Sequence, residues 1–339
     1  MVRAEHKTAY ELGEQLMRLA QSMQDPTLLV QAHSALGSPL FWLGEFAAAR
    51  EHLEQGIALY DPQKYRPLTL LTGQDPGVSC LTYATGVLWS LGYPDQALKS
   101  SHAAISLARE LAHPHSQAFS LFRAAWLHHF RREMQPAQEQ AEAAITLSSE
   151  QGFPHWLALA TIVRGWALTE QGQGEKGIAQ MLQGLDAWWT TKSELFRPSF
   201  LALLAKAYGK VGQAAEGLNL LTEALEAAHK TGERHYEAEL YRLKGELTLQ
   251  QLSVPTPQLP TPSLQTEAEE YFHKALEVAR QQRAKSLELR ATMSLSRLWQ
   301  QQGRQVEAHN LLAEIYSWFT EGFDTLDLKE AKALLEELH

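Results

Sequence analysis

The chain has 339 residues, 45% of them apolar and 20% charged, so it can bury a substantial core in water. A net charge of −9 and a pI of about 5.9 argue against nonspecific nucleic-acid binding, and Cys80, the single cysteine, excludes a disulfide framework or a multi-cysteine zinc site. No apolar run approaches the roughly 18 residues of a membrane span and residues 1–9 lack a signal-peptide core, so the expected localisation is cytoplasmic.

In chain order, the first segment already stands in a repeat. Ala9, Gly13 and Leu16 lie about 40 residues before Ala49, Leu53 and Gly56, which puts residues 1–24 on the second helix of a truncated unit and suggests a fragment of a longer array. Complete units are expected over about 25–320. Gly44, Gly92, Gly172 and Gly212 each separate two apolar-periodic segments, and Arg132 holds the same slot between them. Five residues beyond each comes a small side chain: Ala49, Ala97, Ala137, Gly177, Gly217. Twelve beyond comes another: Gly56, Ala104, Ala144, Gly184, Ala224. Gly303, Ala308, Leu312 and Ile315 close the series.

Each unit reads as helix–turn–helix. Phe200, Leu201, Leu203, Leu204 and Tyr208 have helical spacing within 198–210, and Leu218, Leu221, Leu225 and Ala228 share one face of 213–229. Gly212 supplies the turn, where a positive φ costs glycine nothing, and Gly217 marks a close approach of two helices. A phosphate loop is excluded because no glycine here precedes a Lys-Ser or Lys-Thr pair after a strand. Two insertions stretch the period, at 61–77 and 252–265. The second holds four prolines and no charge, and reads as a solvated, partly polyproline-II loop. A cap helix over about 324–338 is started by Asp324 or Thr325. Leu328, Ala331, Leu334, Leu335 and Leu338 lie on one side, with Lys329, Glu330, Lys332 and Glu336 solvated on the other.

These residues resemble the tetratricopeptide (TPR) family, most clearly in "ALGSPLFWLGEFAAAREHLEQGIALYDP" (35–62) and at Ala268, Phe272 and Ala275 in "AEEYFHKALEVA". The repeat of about 40 residues exceeds the family's 34 or so; HEAT pairs reach that length without this small–large–small spacing. The expected fold is therefore an all-α, TPR-like helix–turn–helix solenoid, a right-handed superhelix of about seven pairs. "GQDPGV" (73–78), "GYPDQAL" (92–98), "LYRLKGELTL" (240–249) and "SWFTEGFDTLDLKEAKALLEEL" (317–338) further resemble the C-terminal helical region of bacterial multidomain signalling ATPases of the STAND type. In such proteins a kinase or nucleotide-cyclase module and an ATPase precede the array; no trace of either is found here.

No catalytic motif is present: no dinucleotide fingerprint, Walker lysine, H-E-x-x-H or G-x-S-x-G. His128 and His129 point about 100° apart on a helix and cannot share a metal, and His113 and His115 in "HPH" lack evident further ligands. Cys80 reads as a buried small residue, and Trp188 and Trp189 as one core and one surface ring. No cofactor is expected, and no enzyme activity.

In the TPR-like arrangement the first helices line the concave side. Phe41, Trp42, Trp89, Phe122, Trp126, His129 and Trp166 then face a groove that is aromatic at one end, with Lys206, Arg242, Glu246 and Arg297 at the other. The reading is a non-catalytic array that binds a protein, peptide or small molecule in this groove and regulates an ATPase or cyclase upstream on the same polypeptide, without nucleic acid or membrane as partners. Two alternatives remain: a peptide-pheromone receptor of the TPR kind, whose usual DNA-binding helix-turn-helix is missing here, and a hydrolase or metal enzyme built on the solenoid.

Overall fold

The computed structural model describes residues 3–65, 73–251 and 261–339. Sixteen helices of 12 residues or more occur among them, and no strand. They begin with α1 (His6–Met23), α2 (Pro26–Leu43), α3 (Phe46–Leu59), α4 (Pro76–Ser90) and α5 (Pro94–Glu110). The middle units are α6 (Pro114–Phe130) with α7 (Met134–Gln151), α8 (Pro154–Glu170) with α9 (Gly174–Thr190), and α10 (Arg197–Lys210) with α11 (Ala214–Thr231). The chain closes with α12 (Glu237–Gln250), α13 (Thr261–Gln281), α14 (Lys285–Gln301), α15 (Gln305–Trp318) and α16 (Leu326–Glu337). Each helix packs on its sequence neighbours, so α2 to α15 form seven consecutive pairs, preceded by α1 and followed by α16.

The six turns inside pairs that lie among the described residues are built the same way. Gly44, Gly92, Arg132, Gly172, Gly212 and Gly303 all have positive φ, and the next residue's N–H reaches back to a carbonyl five residues earlier, as Gln213 N does to Tyr208 O at 2.9 Å. This left-handed termination satisfies carbonyls that the helix end would otherwise leave bare. Arg132 takes the same conformation at φ 59°. Gly217 meets the expectation of close packing: a Cβ there would stand 2.8 Å from Ala205 O and 2.6 Å from Leu247 Cδ1. Only glycine lets α10 and α11 approach so closely.

Several local expectations are corrected. Residues 261–265, expected in the loop of the second insertion, form the start of α13; residue 262 sits in the first turn, where proline costs no hydrogen bond. The remainder of that insertion, and 66–72 of the first, lie outside the described residues. Thr325 is the residue before α16, but its hydroxyl donates to Gly322 O at 2.6 Å instead of capping the helix. Glu330, expected in solvent, is paired with Arg132 at 2.9 Å and Arg297 at 3.1 Å.

The array curls back on itself, which decides the interior. Arg234 N and His235 N both donate to Trp42 O, at 2.7 and 3.1 Å, and Ser286 Oγ donates to Trp89 O at 2.6 Å. The Glu321 carboxylate accepts from Asp95 N and Gln96 N at the start of α5, at 2.9 and 3.0 Å. Gly92 lies so near the far end of the chain that a Cβ would stand 2.5 Å from the Trp318 ring. The first helices α4, α6 and α14 are consequently buried over nearly their whole length, and their sequences are apolar on more than one face.

Candidate functional site

The seven groove residues of the aromatic end are all at most 4% exposed. Two turns between units fill the space between the first helices, 191–196 and 232–236, each longer than the two- or three-residue turns at 111–113, 152–153 and 282–284. Phe196, in the first of them, meets Trp42 edge-on at 4.7 Å and lies 5.3 Å from both Phe122 and Trp126. His235, in the second, meets Trp42 at 4.8 Å and Phe41 at 5.0 Å. Trp89 stacks on Phe130 at 4.2 Å beneath the guanidinium of Arg290, and Trp166 meets His129 at 4.5 Å. In place of an open aromatic groove there is a packed interior. Of the seven, Trp42 reaches a large cavity and His129 a small one.

The four charged residues do converge. With His129, Lys206, Arg242, Glu246 and Arg297 line a cavity of about 120 Å³, where Glu239, Arg290, Asp327 and Glu330 join them. Glu239 is held by Arg242 at 2.7 Å, with Arg290 at 3.8 Å. Burial opposes charge on that carboxyl, yet the two guanidiniums outweigh it and hold the pKa down at about 2. Asp327 accepts from Arg290 at 2.8 Å and Arg132 at 3.2 Å, while Glu170, also brought to about 2 against its burial, holds Lys206 at 3.0 Å. His129 is pushed well below its ordinary value by burial and by Lys206 and Arg290. These charges neutralise one another across α8, α10, α12, α14 and α16, with Arg132 from the turn after α6. The cavity has room for a few waters.

The second cavity is of another kind. It has a volume of about 810 Å³, opens to solvent, and is walled by Trp42 from α2, Tyr83 from α4, Phe119 and Arg123 from α6, Trp156 from α8, and Phe196 from the turn before α10. His113, His115, Phe153 and His155 lie on the same wall. Trp156 Nε1 donates to His115 Nε2 at 3.0 Å, and His113 Nδ1 accepts from Ser116 N at 3.3 Å as the cap of α6. Burial pulls all three histidines below their ordinary pKa, His155 to about 4 with His115 adding to the effect. They are neutral at pH 7. Arg123 lies among these rings: its guanidinium centre is 5.0 Å from the Phe41 ring, 5.1 Å from Tyr83, and 5.7 Å from both Trp42 and Phe196. Burial lowers its pKa to about 10, with Tyr83 opposing, so it remains a cation.

The residues that the sequence reading singled out for chemistry fall as follows. His113 and His115 come together with His155, but among the described residues no three His, Cys, Asp or Glu side chains are arranged to hold a metal. Cys80 is fully buried under Gly56, and burial pushes its thiol up to about 12. Trp188 is buried and Trp189 is 42% exposed beneath Arg197. Among the described residues no helix is long and apolar enough to cross a membrane. Sequence reasoning missed Arg123, Tyr83, Phe119, Trp156 and Phe196. The one available signal was an arginine embedded in "AFSLFRAAWLHHF", a stretch with no other acidic or basic residue except its histidines.

No family model matches the chain. An uncharacterised protein of Rhizobium meliloti (strain 1021) is 22% identical over 243 residues, which are 71% of this chain and 23% of that protein. The chain thus matches about a quarter of its curated relative's length. Among solved structures, the human IFIT1 dimer with m7Gppp-AAAA is similar with a TM-score of 0.57 and 15% identity, over 97% of this chain and 67% of that one. A Rap protein complexed with Competence and Sporulation Factor is similar with a TM-score of 0.53 and 10% identity, over 98% and 97%. At such identities the likeness is one of fold, that of an all-α, TPR-like array of helix–turn–helix units.

Proposed function

We propose that the chain is a non-catalytic sensor array that takes a ligand into its interior and reports occupancy to an ATPase or nucleotide cyclase placed upstream on the same polypeptide. The observation that carries this reading is the cavity of about 810 Å³, a volume ordinary for small-molecule sites and walled mainly by aromatic side chains with few polar groups. Its wall is drawn from α2, α4, α6, α8 and the turn before α10, so a ligand touching all of them resists their relative tilt and favours one curvature of the array. The resemblance to signalling ATPases supplies the regulatory half. Of the expected groove residues, Trp42 is assigned to the ligand; Lys206, Arg242, Glu246, Arg297 and His129 are assigned to closing the array.

The test is a thermal-shift screen of the chain with small organic molecules, peptides, oligosaccharides and nucleotides. At least one class should raise the melting temperature, and Trp156→Ala should cancel that rise while leaving a cooperative transition. A screen in which no class stabilises the chain overturns the reading.

A further inference from the structure

We infer that this cavity takes a small monocarboxylic acid with an aromatic or aliphatic body, its carboxylate against Arg123. The inference rests on the proposal that the cavity binds a ligand, and it names the chemistry of that ligand. Arg123 is 3% exposed, and among the described residues no carboxylate lies within ion-pair distance of it. Its Nη1 is buried without a hydrogen-bond partner while the side chain lines the cavity. Buried arginines are almost always paired, because an isolated charge in a dry site loses its hydration without return. The four surrounding rings offer their π faces, which attract a cation but accept no strong hydrogen bond. What the guanidinium lacks is an anion.

The rest of the wall says what is attached to that anion and how much charge it carries. Trp42, Tyr83, Phe119, Trp156 and Phe196 present ring surface to the cavity, so the body of the ligand is apolar. The histidines on the same wall are neutral at pH 7, held so by burial, and contribute no second positive charge. Glu233, the buried carboxyl behind Trp42, takes the Phe196 N–H at 3.1 Å rather than Arg123. Among the described residues Arg123 is therefore the one cation facing the ligand, which fits a singly charged carboxylate and not the double charge of a phosphate monoester. A pocket of about 810 Å³ has room for a small molecule.

Titration calorimetry with 2-naphthoate and octanoate, against 2-naphthamide, octanamide and 2-naphthyl phosphate, tests this. The acids should bind at least tenfold more tightly than their amides and more tightly than the phosphate ester. Arg123→Met should abolish the preference for acid while leaving amide binding in place. Should that variant not fold, the ratio of acid to amide for the parent chain decides alone. Equal binding of acids and amides, a tighter phosphate ester, or a preference that survives in Arg123→Met overturns the inference and leaves the cavity as a ligand site. Failure of every probe to bind the parent overturns the inference, and the thermal-shift screen then decides the ligand-binding reading by itself.

Discussion

Trp126 shows how burial redistributes the expected roles of single residues. It is 1% exposed, with Phe122, Phe196, Phe200 and His129 around it. Trp126→Ala should therefore cost about 3–5 kcal/mol, the range for emptying a large buried aromatic site, measured by urea unfolding. A loss near zero would place the ring on an open wall instead. Glu233 gives a pH signature. Fully buried, with Oε1 lacking a partner, its carboxyl is raised to about 8 by burial, the Phe196 N–H only partly opposing. Unfolded, it ionises near pH 4.3, so between about 4.3 and 8 the folded chain holds the extra proton and stability falls as pH rises, by up to about 1.4 kcal/mol per pH unit. His6 and His235, which face it, are both pushed down by burial, His6 to about 4, and stay neutral through most of that window. Glu233→Gln should remove the slope, so that unfolding at pH 5, 6.5 and 8 shows the variant gaining on the parent toward alkaline pH. Parallel curves would refute the assignment.

At the scale of the element, the small residues of the repeat act as spacers between paired helices. In isolation Gly217→Ala would favour α11 by about 0.5–1 kcal/mol through helix propensity. Here the new methyl meets the backbone carbonyl of Ala205 as well as a movable leucine. The carbonyl cannot retreat without moving α10, so a net loss of about 1–3 kcal/mol is expected, the cost of overpacking. Thermal or urea unfolding would show it, and a stabilised variant would mean that the two helices slide apart at little cost. The same logic explains why this part of the fold was legible. A glycine in a turn and a small residue five and twelve places later are local demands, met within one pair of helices, and they recur because the pair recurs. Residues 261–265 were misread for the complementary reason: a proline-rich composition describes a loop, but the first turn of a helix accepts proline equally well.

For the molecule as a whole, the decisive feature is closure, with α14 and the turn after α15 lying against α4, α5 and α6. Arg290 ties this closure: it binds Asp327 at 2.8 Å, reaches Phe130 O, and covers Trp89 at 4.9 Å. Arg290→Met leaves Asp327 and Glu239 short of a partner in a buried site, and should cost about 3–5 kcal/mol. Hydrogen exchange should accelerate at Asp95 and Gln96, whose amides are held by Glu321 from the far end of the chain. Unchanged exchange there would mean that the ends stay docked without Arg290.

Helical periodicity, the spacing of small residues and the left-handed turns all depend on neighbours close in sequence, and for that reason the sequence by itself determined the all-α repeat, its period and the seven pairs. It also placed Phe41, Trp42, Trp89, Phe122, Trp126, His129 and Trp166 on the inward side of their helices. Whether that inward side is a groove or a core depends on contacts made across more than a hundred residues, such as His129 with Tyr236 at 3.3 Å, and on two lengthened turns that carry Phe196 and His235 into the space. No periodicity within one unit encodes how far the next four units rotate. Only the tertiary structure decided that the aromatic stripe is packed, that the charged residues neutralise one another, and that Arg123 faces a cavity with no counter-charge among the described residues.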